Sequence, residues 1–306
     1  MSRARPPVVT ATGLTKRFDT TVAVHDVSFT VAGGTVAALV GPPGSGKTTV
    51  AGMLLGLVTP TSGTRTVEGR AGAVLDPRGL QPGSTVRGQL RIYAGAAGAP
   101  DEQVDALLLR TGLHEVEEQR VRTLTVAQQT RLAAAIALLG DPPVLVLDDP
   151  FDQLDAADRS WLADLLRGYT RRGGTAVLTS QSLAAVVPIA DQLIVVSEGV
   201  VVYQGTPRKL RRSHPDRLIV GASSPIALAT ALAAYGFTDT VMRSDGRLAV
   251  AEAGRKDIEN AAVAARVQLT ELVPEPVHPD RVLAALTRGG PAPVSPVPTS
   301  PYGVPR

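Results

Sequence analysis

The chain has 306 residues, 44% of them apolar and 19% charged, with a net charge of +3 and no cysteine. That balance belongs to a globular protein with room for two domains, and it excludes the disordered class, disulfides and thiolate metal centres. The histidines, His25, His114, His214 and His278, are scattered singly and build no metal site, and no apolar run approaches the ~20 residues needed to cross a bilayer. Met1–Pro7 has no signal-peptide core after it, so a cytoplasmic polypeptide is expected, with any membrane role left to a separate partner. The basic clusters Arg171-Arg172 and Arg208–Arg212 lack interleaved aromatics, and no nucleic acid is expected as a partner.

In chain order, residues 8–40 predict a small antiparallel β region, with short runs at Val22–Val24 and Val27–Val31 and a turn at Gly33-Gly34. The apolar run Val36–Val40 reads as a buried strand. It feeds Gly41-Pro42-Pro43-Gly44-Ser45-Gly46-Lys47-Thr48-Thr49, which fits the phosphate-binding pattern G-x-x-x-x-G-K-[ST] and runs on into a helix. In such a loop the glycines turn successive backbone N–H groups onto a polyphosphate at the positive end of the helix dipole. Lys47 would then neutralise the β- and γ-phosphates, and the Thr48 hydroxyl would ligate Mg²⁺. The stretch from Ala71 to about Tyr93 reads as loop-rich, and helices are predicted over 101–112 and 125–139. Pro143–Pro150 is an apolar strand closed by Asp148 and Asp149, and beside a phosphate loop such an Asp holds the metal or its water. A helix over 156–172 and strands at Thr175–Ser180, Gln192–Val196 and Val200–Tyr203 complete an α/β domain spanning residues 1–210.

A basic linker, 211–216, leads to a different pattern. Strand, helix capped at Ser224-Pro225, hairpin at Asp245-Gly246, helix over 256–265 and strand at Val267–Thr270 make a split βαβ module within residues 217–288. It ends with a short helix at about 279–287. Residues 289–306 form a Pro-rich tail that is expected to be disordered.

Together, Leu14–Phe18, Gly41–Thr49 and Gly140–Pro150 resemble the ATP-binding subunits of ATP-binding cassette (ABC) transporters, and the C-terminal module is similar to the extension of daunorubicin- and bacitracin-type export ATPases. The resemblance implies an α/β phosphate-loop ATPase with a helical subdomain and ATP and Mg²⁺ as cofactors. It further implies homo- or heterodimerisation with another such subunit, a separate transmembrane permease, and a peripheral position on the cytoplasmic face of the membrane. It places Phe18 on the adenine, Asp76 where a Mg²⁺-contacting glutamine stands, Asp149 at the catalytic glutamate and Gln181 at the switch histidine. Leu124-Thr125-Val126-Ala127-Gln128 stands at the signature that caps the partner's γ-phosphate, and Asp155 in the dimer loop.

These departures have physical consequences. Asp149 is one methylene shorter than Glu, and misplacing a base by about 1 Å can cost ~10²-fold in rate. Gln181 lacks the charge available to His. Asp76 adds negative charge near the polyphosphate, tolerable mainly with Mg²⁺ present. Val126 and Ala127 bring Cβ atoms where glycine backbone would approach phosphate, and a positive φ there would cost roughly 1–2 kcal/mol. The expectation is intact nucleotide binding with slow hydrolysis, the alternative being a catalytically silent ATP-binding regulator. A GTPase or small-molecule kinase on the same loop is disfavoured, because no Asn-Lys-x-Asp motif is present and the region around 125–150 has the ABC order.

Overall fold

This computed structural model describes residues 6–75 and 78–288. They divide into two compact units, one formed by the chain up to Pro207 with the residues from Leu283 onward, the other by Arg208–Val282.

The first unit opens with two long strands, β1 (Pro7–Phe18) and β2 (Thr21–Ala32), joined by a tight turn at Asp19-Thr20. The two short runs expected at 22–24 and 27–31 are one strand. Register shifts along the β1–β2 pair, with Asp26 at φ 51°, bend it without ending it. Next come β3 (Val36–Val40), α1 (Lys47–Leu55) and β4 (Ser62–Val67), and β4 joins β1 to complete a sheet of order β2-β1-β4. Sequence pattern missed β4 because its residues are almost all exposed and show no alternation of apolar and polar.

The stretch from Ala71 to Tyr93, expected as loop, instead holds β5 (Ala71–Val74) and the first part of α2 (Val86–Ala97). A four-residue strand of small side chains carries little β signal. Two glycines, Gly88 and Gly95, weaken the helical one, although the Thr85 side chain caps the helix by accepting from the Gly88 N–H. The helices α3 (Asp101–Thr111) and α4 (Val126–Ala137) lie where the pattern put them, and α2, α3 and α4 pack on one another. The remainder of this stretch is β6 (Val144–Leu147), α5 (Ala156–Arg171), β7 (Thr175–Ser180), α6 (Leu183–Val186), β8 (Gln192–Ser197), β9 (Val200–Gly205) and α7 (Pro207–Ser213). The basic segment read as a linker therefore begins as helix.

The main sheet has the order β5-β6-β7-β3-β8-β9 and is parallel except for the β8–β9 pair. Every residue of β3, β6 and β7 is buried, which is why β3 and β6 read as continuous apolar runs and β7 as an apolar centre flanked by hydroxyl residues, with no alternation. Val40 pairs with Ser180 and Leu147 with Leu178, so the carboxyl ends of β6, β7 and β3 stand side by side. In open α/β sheets, that edge is where ligands bind. Nearly every residue of α1 is buried. Its Val50, Met53 and Leu54 share one core with Leu39, Val146 and Ile194 of the main sheet and with Val9, Leu14 and Phe29 of the smaller one. The helix behind the phosphate loop is thereby fixed from both sides.

The second unit contains β10 (Arg217–Ala222), α8 (Pro225–Ala234), β11 (Thr240–Met242), β12 (Leu248–Ala251), α9 (Arg255–Ala265) and β13 (Leu269–Glu275). Its sheet, β11-β12-β10-β13, is antiparallel throughout, as a split βαβ module requires. Leu228, Leu232 and Ile258 of the two helices bury against Val220, Leu248 and Val250. The helix α10 (Pro279–Thr287) follows, and the Pro-rich tail 289–306 lies outside the described residues.

Tyr169 ties α5 to the loop before β6. Its buried hydroxyl donates to the Pro142 carbonyl at 2.6 Å, and a Cβ on Gly174 would lie 2.3 Å from its ring. Burial pushes its pKa up to about 12. Because the folded value exceeds the unfolded value near 10, the corresponding stability is complete below pH ~10 and is lost as pH rises through ~12. Tyr169→Phe is expected to lower stability at pH 7 by about 1 kcal/mol and to flatten the alkaline fall, both read from urea unfolding at a series of pH values.

Candidate nucleotide-binding site

At the end of β3 the chain turns so tightly that side chains have no room. A Cβ on Gly41 would sit 2.0 Å from the Val196 carbonyl oxygen, and Gly46 holds φ +95° with the Ala23 carbonyl 2.4 Å from where a Cβ would be. Gly46 is also the N-cap of α1, whose first turn carries no acidic residue, so nothing on the helix itself offsets the positive end of its dipole. Lys47 is buried and folded back over the loop. Its Nζ donates to the Gly41 and Pro42 carbonyls at 2.9 and 2.8 Å and to Ser45 Oγ at 3.2 Å. Burial lowers its pKa to about 8, against the opposing pull of Asp149 and Asp148. Pro42 and Pro43 lead into Gly44, whose φ of +76° leaves open space where a Cβ would be, and Thr49 is buried in α1.

Asp148 stands at the end of β6 with its backbone N–H on the Val74 carbonyl. Its Oδ1 accepts from Thr48 Oγ1 at 3.1 Å and from Thr179 Oγ1 at 2.6 Å. Thr179 also accepts from the Asp149 N–H at 2.8 Å. Asp149 holds φ 41°, a conformation that Asp adopts more readily than most residues. Its Oδ2 accepts from Gln181 Nε2 at 2.9 Å. Burial pushes the Asp149 carboxyl above the usual carboxylate range, with the Gln181 hydrogen bond pulling the other way. Sequence reasoning missed Thr179. Its one signal was a hydroxyl directly after the apolar centre Ala176–Leu178 of a strand.

The residues around Thr48 and Asp148 fit Mg²⁺. Two hard oxygen donors lie within hydrogen-bonding distance of each other beside an anion-binding loop, and Mg²⁺ takes few protein ligands when phosphates and water supply the rest. Among the described residues no cluster of three or more His, Cys, Asp or Glu could hold a metal, so this is not an all-protein cage. A cleft beside Asp148 and Asp149 is also lined by Val74, Arg78, Thr130 and Gln181.

The other predicted residues lie elsewhere. Thr125 is the N-cap of α4 and forms a reciprocal capping box with Gln128. Val126 and Ala127 occupy the first helical turn and are not among the residues with positive φ, so the backbone strain expected there does not arise. None of Thr125–Gln128 lines the cleft, although Thr130, one turn on, does. Asp155 caps α5 by accepting from the Asp158 N–H. Phe18 is partly buried against the first core, with Lys16 Nζ 4.9 Å from its ring centroid. Asp76 lies outside the described residues.

The ABC transporter family (ABC_tran) matches residues 24–152. The Nod factor export ATP-binding protein I of Bradyrhizobium diazoefficiens is 34% identical over 218 residues, covering 66% of this chain and 71% of that one. The chain belongs to the ABC transporter ATP-binding subunits. The protein of the same name from Burkholderia lata is 34% identical over 238 residues, covering 72% of this chain and 78% of its own. Among solved structures, an ATP-binding subunit of an ABC transporter superposes with TM-score 0.62 at 22% identity, over 68% of this chain and 93% of that one. The cbiO1 protein of Clostridium perfringens gives 0.60 at 24%, over 68% and 92%. At those identities the structures speak for the fold alone, a phosphate-loop ATPase cassette. Membership in the family brings nucleotide binding and ATPase activity, and among the described residues no helix is long and apolar enough to cross a membrane.

In this ABC subunit Thr179 supports the Asp148 carboxylate and the Asp149 backbone N–H at once. Thr179→Val is expected to cost roughly 1–3 kcal/mol in urea unfolding, because a buried carboxylate oxygen and the Asp149 N–H each lose a partner. Thr179→Ser should restore most of the loss.

Proposed function

We propose that this chain is the ATP-binding, slowly hydrolysing subunit of an ABC exporter, a peripheral protein on the cytoplasmic face that drives a separate transmembrane permease. The observation that carries this reading is the convergence, at the carboxyl ends of β3, β6 and β7, of the Lys47 ammonium, the Thr48 hydroxyl, Asp148 and the Asp149–Gln181 pair. The export direction is supported by the names of the Nod factor export relatives.

On this reading residues 41–49 hold the phosphates of ATP, and Lys47 exchanges its loop carbonyls for the β- and γ-phosphate oxygens. Thr48 and Asp148 hold Mg²⁺, which when bound neutralises charge on those oxygens. Asp149 orients the attacking water and takes its proton as the water oxygen bonds to the γ-phosphorus. The bond from that phosphorus to the β–γ bridging oxygen breaks, and ADP leaves with the bridging oxygen. Hydrolysis is slow because the Asp149 carboxylate is short and is bonded to an uncharged Gln181. Phe18 borders the adenine.

The exposed start of α4, where Val126 is 37% accessible, suits a head-to-tail dimer in which Thr125–Gln128 of one subunit reach the γ-phosphate on the other. Asp155 then lies near the dimer seam, and the second subunit is another copy or a different ABC ATPase.

Lys47→Ala is expected to weaken Mg²⁺–ATP binding by at least tenfold in isothermal titration while leaving the thermal unfolding midpoint within a few degrees. Unchanged affinity in a folded variant would contradict the assignment of the loop.

A further inference from the structure

Arg78 was not singled out by any motif, yet it lines the same cleft as Asp148, Asp149, Asp152 and Gln181. The charge balance there is uneven. Those residues include three carboxylates, and Arg78 is the one cation among the residues lining the cleft. Arg78 is half-buried and makes no hydrogen bond or ion pair with another described residue. Other half-buried arginines of this unit are tied down. Arg87 is held by Asp105 and Glu117, and Arg131 by Asp158.

Its placement follows from the sheet order. Arg78 follows the carboxyl end of β5, Asp148 and Asp149 follow β6, and Gln181 follows β7, with β5-β6-β7 adjacent. Arg78 and Gln181 therefore flank the Asp pair from opposite sides. The loop after Arg78 is anchored. The Gln81 N–H donates to Oε1 of the fully buried Gln89 at 3.0 Å, Tyr93 Oη donates to the Gly79 carbonyl, and the Val121 N–H donates to the Ser84 carbonyl.

A terminal phosphate entering this cleft meets carboxylates on the β6 side and, on the β7 side, an amide already engaged by Asp149. The β5 side offers a guanidinium with no partner among the described residues to give up. Guanidinium stays charged and presents paired N–H donors that match phosphate oxygens. We infer that Arg78 contacts the γ-phosphate of bound ATP and supplies there the positive charge that Gln181 lacks, which makes it the residue that distinguishes ATP from ADP. This rests on the reading of residues 41–49 as the ATP cradle.

The experiment compares wild type, Arg78→Ala, Arg78→Gln and Arg78→Lys in the full chain, measuring affinities for Mg²⁺–ATP and Mg²⁺–ADP by titration together with the thermal unfolding midpoint. Arg78→Ala and Arg78→Gln should lose about tenfold in ATP affinity with ADP affinity changed less than about twofold, and Arg78→Lys should recover part of the loss. The midpoints should not move, because Arg78 has no partner among the described residues to lose. An unchanged ATP-to-ADP ratio, or equal losses for both nucleotides, would overturn the inference. Failure of the wild type to bind either nucleotide would instead remove the reading of the cradle on which it rests.

Discussion

The Asp148 carboxylate is held by two hydroxyls, Thr48 on α1 and Thr179 on β7, and through them three separate segments share one oxygen. That shared acceptor depends on the parallel register of β6, β7 and β3, which brings their carboxyl ends to one edge. The register depends in turn on strands buried on both faces, where slippage would expose apolar surface. Placement of the phosphate loop and of both carboxylates thus follows from core packing. The polar site is attached to strands whose every residue is buried.

On the proposed reading, the groups around that centre that would act on a γ-phosphate are altered. Asp149 stands in a left-handed conformation that suits Asp, its carboxyl is raised by burial, and its outer oxygen is bonded to Gln181. On the same reading Arg78, which lines the cleft with Gln181, offers the positive charge that Gln181 lacks. On that reading binding and turnover at this site have separate physical determinants.

The parts of this arrangement that the sequence displayed were those with short-range signatures. Gly41–Thr49 announces itself because close backbone approach and positive φ restrict what can stand at Gly41 and Gly46. Val144–Asp149 is visible as an apolar run ended by charge, and the second unit as a hairpin between two helical patterns. The misses have equally specific causes. β4 is almost entirely exposed, β5 is four small residues long, and α2 is diluted by glycine, so none carries a usable period. At Val126 and Ala127 the conditional cost of a positive φ does not arise, because the capping box formed by Thr125 and Gln128 starts a regular helix there. Thr179 and Arg78 acquire meaning from strand order alone, which no local pattern encodes.

The central claim is that ATP binding is intact while hydrolysis is slow, and the direct measurement is steady-state turnover of the wild-type protein as ATP is raised through saturation of its measured binding curve. The account predicts saturable Mg²⁺–ATP binding with turnover below about 1 s⁻¹, under the median for enzymes of roughly 10 s⁻¹. Turnover at or above about 10 s⁻¹, or no saturable binding, would contradict it.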